Sequence, residues 1–340
     1  MAAQKPVFDV RSLLRRPEFG AFVSALFVFI FFAIFGGAEF LGPGGLSSTL
    51  NIAAELGLIA LPVALVMIAG DLDLSVGSTM MASAVVMALL SGTYGLPTIV
   101  GVGGALAVGL IAGFLNGIIT TKTNLPSFVV TLAVSFATSG LAFGIIRLLT
   151  GTLQADVTPE PWLKDTLGTL FFNNWEGAIG LFIIVSAIVS WILYKTKYGN
   201  WIYAIGGDVV SAKATGIPVD KVRIALFMGS GVGSALLGIV QTAMYNSAQV
   251  GAGSSFVFNS IIAVVIGGVL LTGGYGSPVG VVLGCITFAT VGQGIYYTGW
   301  ESDWALLFIG TLLLAAVLSN NTFRRLALGG GKKKSAKESK

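Results

Sequence analysis

The chain has no histidine among its 340 residues and a single cysteine, Cys285. The first absence removes the commonest metal ligand and the commonest proton carrier near neutral pH, and no metal site is expected. The second excludes a disulfide within the chain. Charge is scarce as well: Asp, Glu, Lys and Arg together make up 10% of the sequence, where soluble domains carry about 25%. An ordinary soluble core under a charged surface is therefore excluded. In its place stand 55% hydrophobic residues and a mean hydropathy of +0.89. A bilayer must be the solvent for most of such a chain, and backbone groups in lipid are satisfied only in helices or closed barrels. The apolar runs extend to about twenty residues, not the roughly ten-residue alternation of barrel strands. The expected fold class is an all-α polytopic membrane protein.

Ten spans are expected, near 20–41, 51–70, 77–92, 96–120, 126–149, 177–195, 223–245, 257–272, 278–297 and 303–319. The third and eighth are short and need tilt, partial insertion or burial in protein. The run Phe22–Phe35 lacks a convincing small-residue cleavage site and is kept as a span, not a signal peptide. Residues 1–19 then form a cytoplasmic N-terminal segment, 20–320 a transmembrane domain and 321–340 a basic cytoplasmic tail. With an even number of spans, both termini share a side, and that side collects every basic residue except Arg147 and Lys164. The opposite loops hold Glu39, Asp156, Glu160, Asp165, Glu176, Glu301 and Asp303. The positive-inside rule puts the termini in the cytoplasm. The tail Gly329–Lys340 suits a solvated anchor near anionic lipid. A phosphate loop needs glycine where Leu326 stands, so the chain carries no P-loop of its own.

One polar break interrupts the apolar pattern. Asp71 and Asp73 lie between Gly70 and Gly77, and charge at a membrane boundary is costly unless hydrated, paired or needed. Two readings stand for this pair: caps of a helix starting near Ser75, set in cytoplasmic water, or the floor of a translocation path. A weak internal repeat links Val66-Met67-Ile68-Ala69-Gly70 with Val264-Val265-Ile266-Gly267-Gly268, each followed by a break that ends in Gly-Ser. Duplicated halves are common in transporters. The glycines of Gly113–Gly117 and Gly229–Gly233 suit close helix packing. Between the sixth and seventh spans, Asp208 is a candidate N-cap for a helix over Val209–Thr215, with Gly216 ending it and Pro218 preventing continuation. Such a rigid piece in a connecting loop is a handle for a partner protein.

Gly70-Asp71-Leu72-Asp73-Leu74-Ser75-Val76-Gly77-Ser78 resembles the break of permeases from ribose-type monosaccharide importers, which are ATP-binding-cassette transporters. Tyr203–Asp208 through Gly216-Ile217 resembles their coupling loop, with Asp208 where the family usually has Asn. Ser247–Gly253, Ile262–Gly268 and Gly273–Gly276 continue the match, in order, from about Asn51 to Asn321. The resemblance implies a coupling loop at Gly206, Gly207, Asp208, Ser211, Lys213, Gly216 and Ile217. It also implies an ATPase partner that holds ATP and Mg, and an external (periplasmic) sugar-binding protein. A homodimer or pseudo-dimer in the bacterial inner (plasma) membrane follows from the same likeness. The chain itself is expected to be no enzyme and to bind no cofactor and no nucleic acid. Phe256-Val257-Phe258-Asn259 departs from the family, since two acids of many relatives are missing, and Pro218 is unusual beside the coupling helix.

Candidate path residues are Gly70, Asp71, Asp73 and Ser75 at the break, with Asn116, Thr131, Gln241 and Asn259 in or near spans. Helix–helix hydrogen bonds are the plainer role for the last four. Glu55 reads as snorkelling to the interface, and Arg147 as an interfacial anchor. The alternative function is an ion-coupled secondary transporter, for which Glu55 is the one plausible carboxylate inside a span. A membrane-embedded enzyme is disfavoured by the lack of a converging nucleophile, base or metal site.

Overall fold

The computed structural model describes residues 17–329 other than Asn124 and Asn173, with side chains from 18 to 318. The expected cytoplasmic segment up to 16 and the basic tail from 330 lie outside the described residues. Along the chain run α1 (Pro17–Phe35), α2 (Gly37–Leu41), α3 (Pro43–Ile68), α4 (Val76–Ala88, extended by a π turn, Leu89–Thr93), α5 (Thr98–Thr123) and α6 (Ser127–Thr150). Next come β1 (Gln154–Asp156), α7 (Pro161–Leu167), β2 (Leu170–Phe171), β3 (Trp175–Glu176), α8 (Ala178–Lys195), α9 (Lys197–Gly207) and α10 (Val209–Ala214). The rest comprises α11 (Val219–Tyr245), β4 (Ser247–Gln249), α12 (Ser254–Ile266), α13 (Pro278–Thr298) and α14 (Trp304–Gly329).

Among the described residues, 8 helices are long and apolar enough to cross a membrane: α1, α3, α4 with its π turn, α5, α6, α8, α11 and α13. Two shorter apolar helices, Ser254–Ile266 and Trp304–Leu318, occupy the eighth and tenth expected spans. The chain is an all-α polytopic membrane protein. Details differ from the expected pattern. The first span is cut at Gly36–Gly37, and α3 starts at Pro43, well before residue 51, because proline fits the first turn of a helix. The third span gains its length from the π turn.

Hydropathy does not distinguish the centre from the rim. The most apolar 18-residue stretches of Glu18–Phe35 and Pro43–Ile68 are nearly equal in hydropathy, yet 17% of the first and 89% of the second is buried. Helix α3 is the axis of the molecule, packed by α8, α11, α12 and α13. Helices α5 and α11 cross closely because small residues line both faces. A Cβ on Gly109 would run into the Gly231 carbonyl, one on Gly113 into Phe227 and Met228, and one on Gly117 into Ile224. That spacing of four is the small-residue seam of membrane helix pairs.

At one end of the bundle β1 and β4 pair antiparallel, with Gln154 opposite Gln249. Lys164 of α7 fastens this end. Its Nζ donates to the Ala243 carbonyl at 2.9 Å and to Asn246 Oδ1 at 2.9 Å, placing a cation at the C-terminus of α11 where the helix dipole favours it.

Candidate functional site

The first break follows Ile68. Gly70 takes φ +88°, its N–H donates to the Met67 carbonyl and that of Asp71 to the Val66 carbonyl, which closes α3. The chain then runs without helix from Asp71 to Ser75. Its backbone donors need partners, and α6 supplies them. Leu72 N–H donates to Ser127 Oγ (3.0 Å) and Leu74 N–H to Thr131 Oγ1 (3.1 Å).

Neither carboxylate sits in water. Asp71 is 6% and Asp73 1% exposed. Asp71 is gripped by Arg223 on the first turns of α11, through Nε to Oδ2 at 2.6 Å and Nη2 to Oδ1 at 2.5 Å. Asp73 Oδ1 accepts from the Ser75 amide (2.9 Å) and hydroxyl (2.7 Å), and Asn116 Nδ2 of α5 donates to Ser75 Oγ (2.7 Å). The reading of two caps in cytoplasmic water is thus corrected. Burial makes an unpaired charge too costly, and the fold answers it with a fork-shaped ion pair for one acid and the Ser75 amide and hydroxyl for the other.

The second break repeats the first in backbone geometry. Gly268 has φ +89°, its N–H donates to the Val265 carbonyl and that of Val269 to the Val264 carbonyl. The weak sequence repeat is therefore matched by two helix ends of the same form.

The loop between α8 and α11 holds two helices, not one. Helix α10 is as expected: Asp208 Oδ1 accepts from the Ser211 amide at 2.7 Å, and Gly216 closes the far end at φ +84°. Hydrogen bonds from Ser211 hold the Asp208 carboxyl below its ordinary range. Only Ala212 of α10 is buried. Ser211, Lys213 and Gly216 are exposed, Ile217 is half-buried, and the Lys213–Asp220 ion pair (3.3 Å) is exposed and worth little. The preceding α9 was not expected, and it carries the contact of greatest consequence. Gly206 lies so close to the Ile68 carbonyl and the Gly274 amide that a Cβ has no room, and Gly274 N–H itself donates to the Ile68 carbonyl at 2.8 Å. Tyr203 OH donates to the Gly276 carbonyl at 2.8 Å. Burial pushes the Tyr203 hydroxyl up to about 12, so it keeps its proton at neutral pH. The end of α9 thus touches both breaks at once, and α10 stands on α9.

Two cavities flank this core. One, of about 520 Å³, lies under the β1–β4 pair and includes Met80, Gln154, Gln241, Tyr245, Ser247 and Gln249 in its wall. The other, of about 410 Å³, lies beside the first break and includes Gly70, Asp71, Leu72, Ser127 and Arg223. On α4 and α5, the Thr79 and Thr120 hydroxyls and the Asn116 side-chain oxygen are buried polar atoms near this core.

A family described as the permease component of branched-chain amino acid transport systems matches residues 45–317. The chain belongs to this family. Among similar proteins is a fructose import permease of Rhizobium meliloti, 30% identical over 88% of this chain and 83% of the relative. Others are a ribose import permease of Bacillus subtilis, 30% identical over 86% and 89%, and a probable ABC transporter permease of Sinorhizobium fredii, 33% identical over 81% and 80%.

Within this permease the expected path residues separate. Gly70 and Asp71 line the break cavity and Gln241 lines the ribbon cavity. Asp73, Ser75, Asn116 and Thr131 belong to the hydrogen-bonded core that shapes the break. Asn259 is half-buried on α12 and lines neither cavity. Glu55 does not snorkel. Its Oε2 accepts from Gln241 Nε2 at 3.2 Å, so it orients a cavity residue. Arg147 is exposed. The residues that sequence reasoning missed are Arg223, Tyr203 and Lys164. Tyr203 had a signal, since it opens the loop motif that points to coupling.

Proposed function

We propose that this permease is the membrane subunit of an ATP-driven importer for a monosaccharide or related polyol. Substrate is delivered by an external binding protein, and ATP and Mg stay on a separate cassette ATPase. The observation that carries the reading is the stack of α10 on α9 and of α9 on both breaks. A push on exposed α10 has a rigid route to the two points where the helix ladder is interrupted. The likeness to sugar import permeases supports the choice of substrate class. The permease works as a homodimer or pseudo-dimer in a bacterial inner membrane, with both termini cytoplasmic, so α10 faces the ATPase and the β1–β4 end faces outward.

Gentle solubilisation, affinity purification and mass spectrometry test this directly. A P-loop ATPase should co-purify, and a chain that runs only with itself in several mild detergents would sink the reading. Gly216→Val should uncouple ATP hydrolysis from uptake while membrane insertion stays intact, because a β-branched residue is strained at φ +84°. Wild-type uptake in that variant would remove α10 from the coupling role. For sidedness, Asp165→Cys is suited, as Asp165 is exposed and Cys285 is buried. An impermeant thiol reagent should label it on intact cells, and labelling only after lysis would invert the orientation.

A further inference from the structure

We propose that the ribbon cavity is a receiving site for one neutral polyhydroxylated molecule, held by the permease before it passes inward. The inference rests on the importer reading and names the substrate site within it. At about 520 Å³ the cavity falls in the usual range of small-molecule sites, about 300–1,000 Å³. Its wall carries amides (Gln154, Gln241, Gln249), hydroxyls (Tyr245, Ser247) and thioethers, with no Asp, Glu, Lys or Arg. The carboxylate of an amino acid or the phosphate of a phosphorylated sugar would enter without a cationic partner in this wall, which desolvation penalises. A sugar or polyol needs no counter-charge, and each of its hydroxyls can both donate and accept.

Two of the amides are oriented in advance. Gln241 Nε2 donates to Glu55 Oε2 at 3.2 Å, and Gln154 Nε2 donates to Asp156 Oδ1 at 2.7 Å. One N–H of each amide is thereby directed at an acid, Glu55 or Asp156, and its second N–H stays free to donate. The Oε1 atom of each is left to accept a ligand hydroxyl. Fixing the acceptors before the ligand arrives lowers the ordering cost of binding. Met80 and Met81 supply a polarizable apolar surface for the C–H face of a sugar ring.

The test uses the whole transporter in its host cells, with radiolabelled D-fructose, D-ribose, D-xylose, myo-inositol and, as the zwitterionic comparison, L-leucine. In membrane vesicles washed free of external binding protein, Gln249→Cys is reacted with an impermeant maleimide in the presence of each compound. The transported sugar or polyol should slow the reaction about tenfold once well above half-saturation, and L-leucine should leave it unchanged. Gln241→Ala should lower uptake of the same compound about tenfold at an unchanged amount of permease in the membrane, and Gln154→Ala should lower it in the same direction. Uptake of a sugar with no slowing at the introduced thiol and no effect of either alanine overturns the site while the importer reading stands. Uptake of L-leucine and of none of the polyols overturns the importer reading and the site with it.

Discussion

Arg223→Ala should abolish most transport and destabilise the permease by about 3–5 kcal/mol, the usual cost of removing one partner of a buried ion pair. Asp71 is 6% exposed, and both of its oxygens are engaged by Arg223. Without the guanidinium the carboxylate must be neutralised or hydrated, and either change opens the break cavity beside it. Arg223→Lys should restore little, because a single ammonium cannot reproduce two parallel hydrogen bonds. Asp71→Asn combined with Arg223→Met removes both charges and should recover stability more than transport. Thermal unfolding in detergent together with uptake checks this. A single Arg223→Ala variant of wild-type stability would show that the pair carries no structural weight.

Gly206→Ala should eliminate coupled uptake, whereas Gly207→Ala should behave like the parent. The two glycines are neighbours in sequence, and their surroundings are opposite. A methyl group on Gly206 would strike the backbone of Ile68 and Gly274, and one on Gly207 would meet nothing within 4 Å. Backbone cannot turn aside as a side chain can, so the misfit separates α9 from one break or the other, at about 1–3 kcal/mol or more. Membrane insertion is set by the spans and should survive. The measurement is ATP hydrolysis and uptake in parallel on reconstituted transporter: hydrolysis without uptake is expected for Gly206→Ala. Equal uptake by both variants would take the force route away from this contact.

What could be read from sequence was local in origin. Helix α10 was legible because its start, end and stop signal lie within eleven residues, from Asp208 to Pro218. The polar break was legible because two acids in an apolar chain demand a reason. Helix α9 was not, since Gly199, Gly206 and Gly207 lower its intrinsic helix propensity and packing makes up the difference. The fate of Asp71 was hidden because its partner lies 152 residues away. The ribbon cavity is likewise assembled from α4, β1, α11 and β4, with no motif of its own. Hydropathy marked the ten apolar stretches well but could not rank them by depth, because lipid and protein interior are equally apolar to a leucine.

The encased position of α3 has a consequence for how the membrane itself acts on this protein. Its side chains meet other helices, whereas α1, α6 and α8 present most of their surface outward, with 22% of the most apolar stretch of Ser127–Thr150 and 28% of Ala178–Lys195 buried. A thicker or thinner bilayer exerts its mismatch on surfaces in contact with lipid. That strain should fall on the outer shell, while the first break hangs from α3, the most buried of the eight spans among the described residues. The contact at Gly206 is thereby shielded from lipid composition, and the permease should keep its coupling register across membranes that would tilt its perimeter.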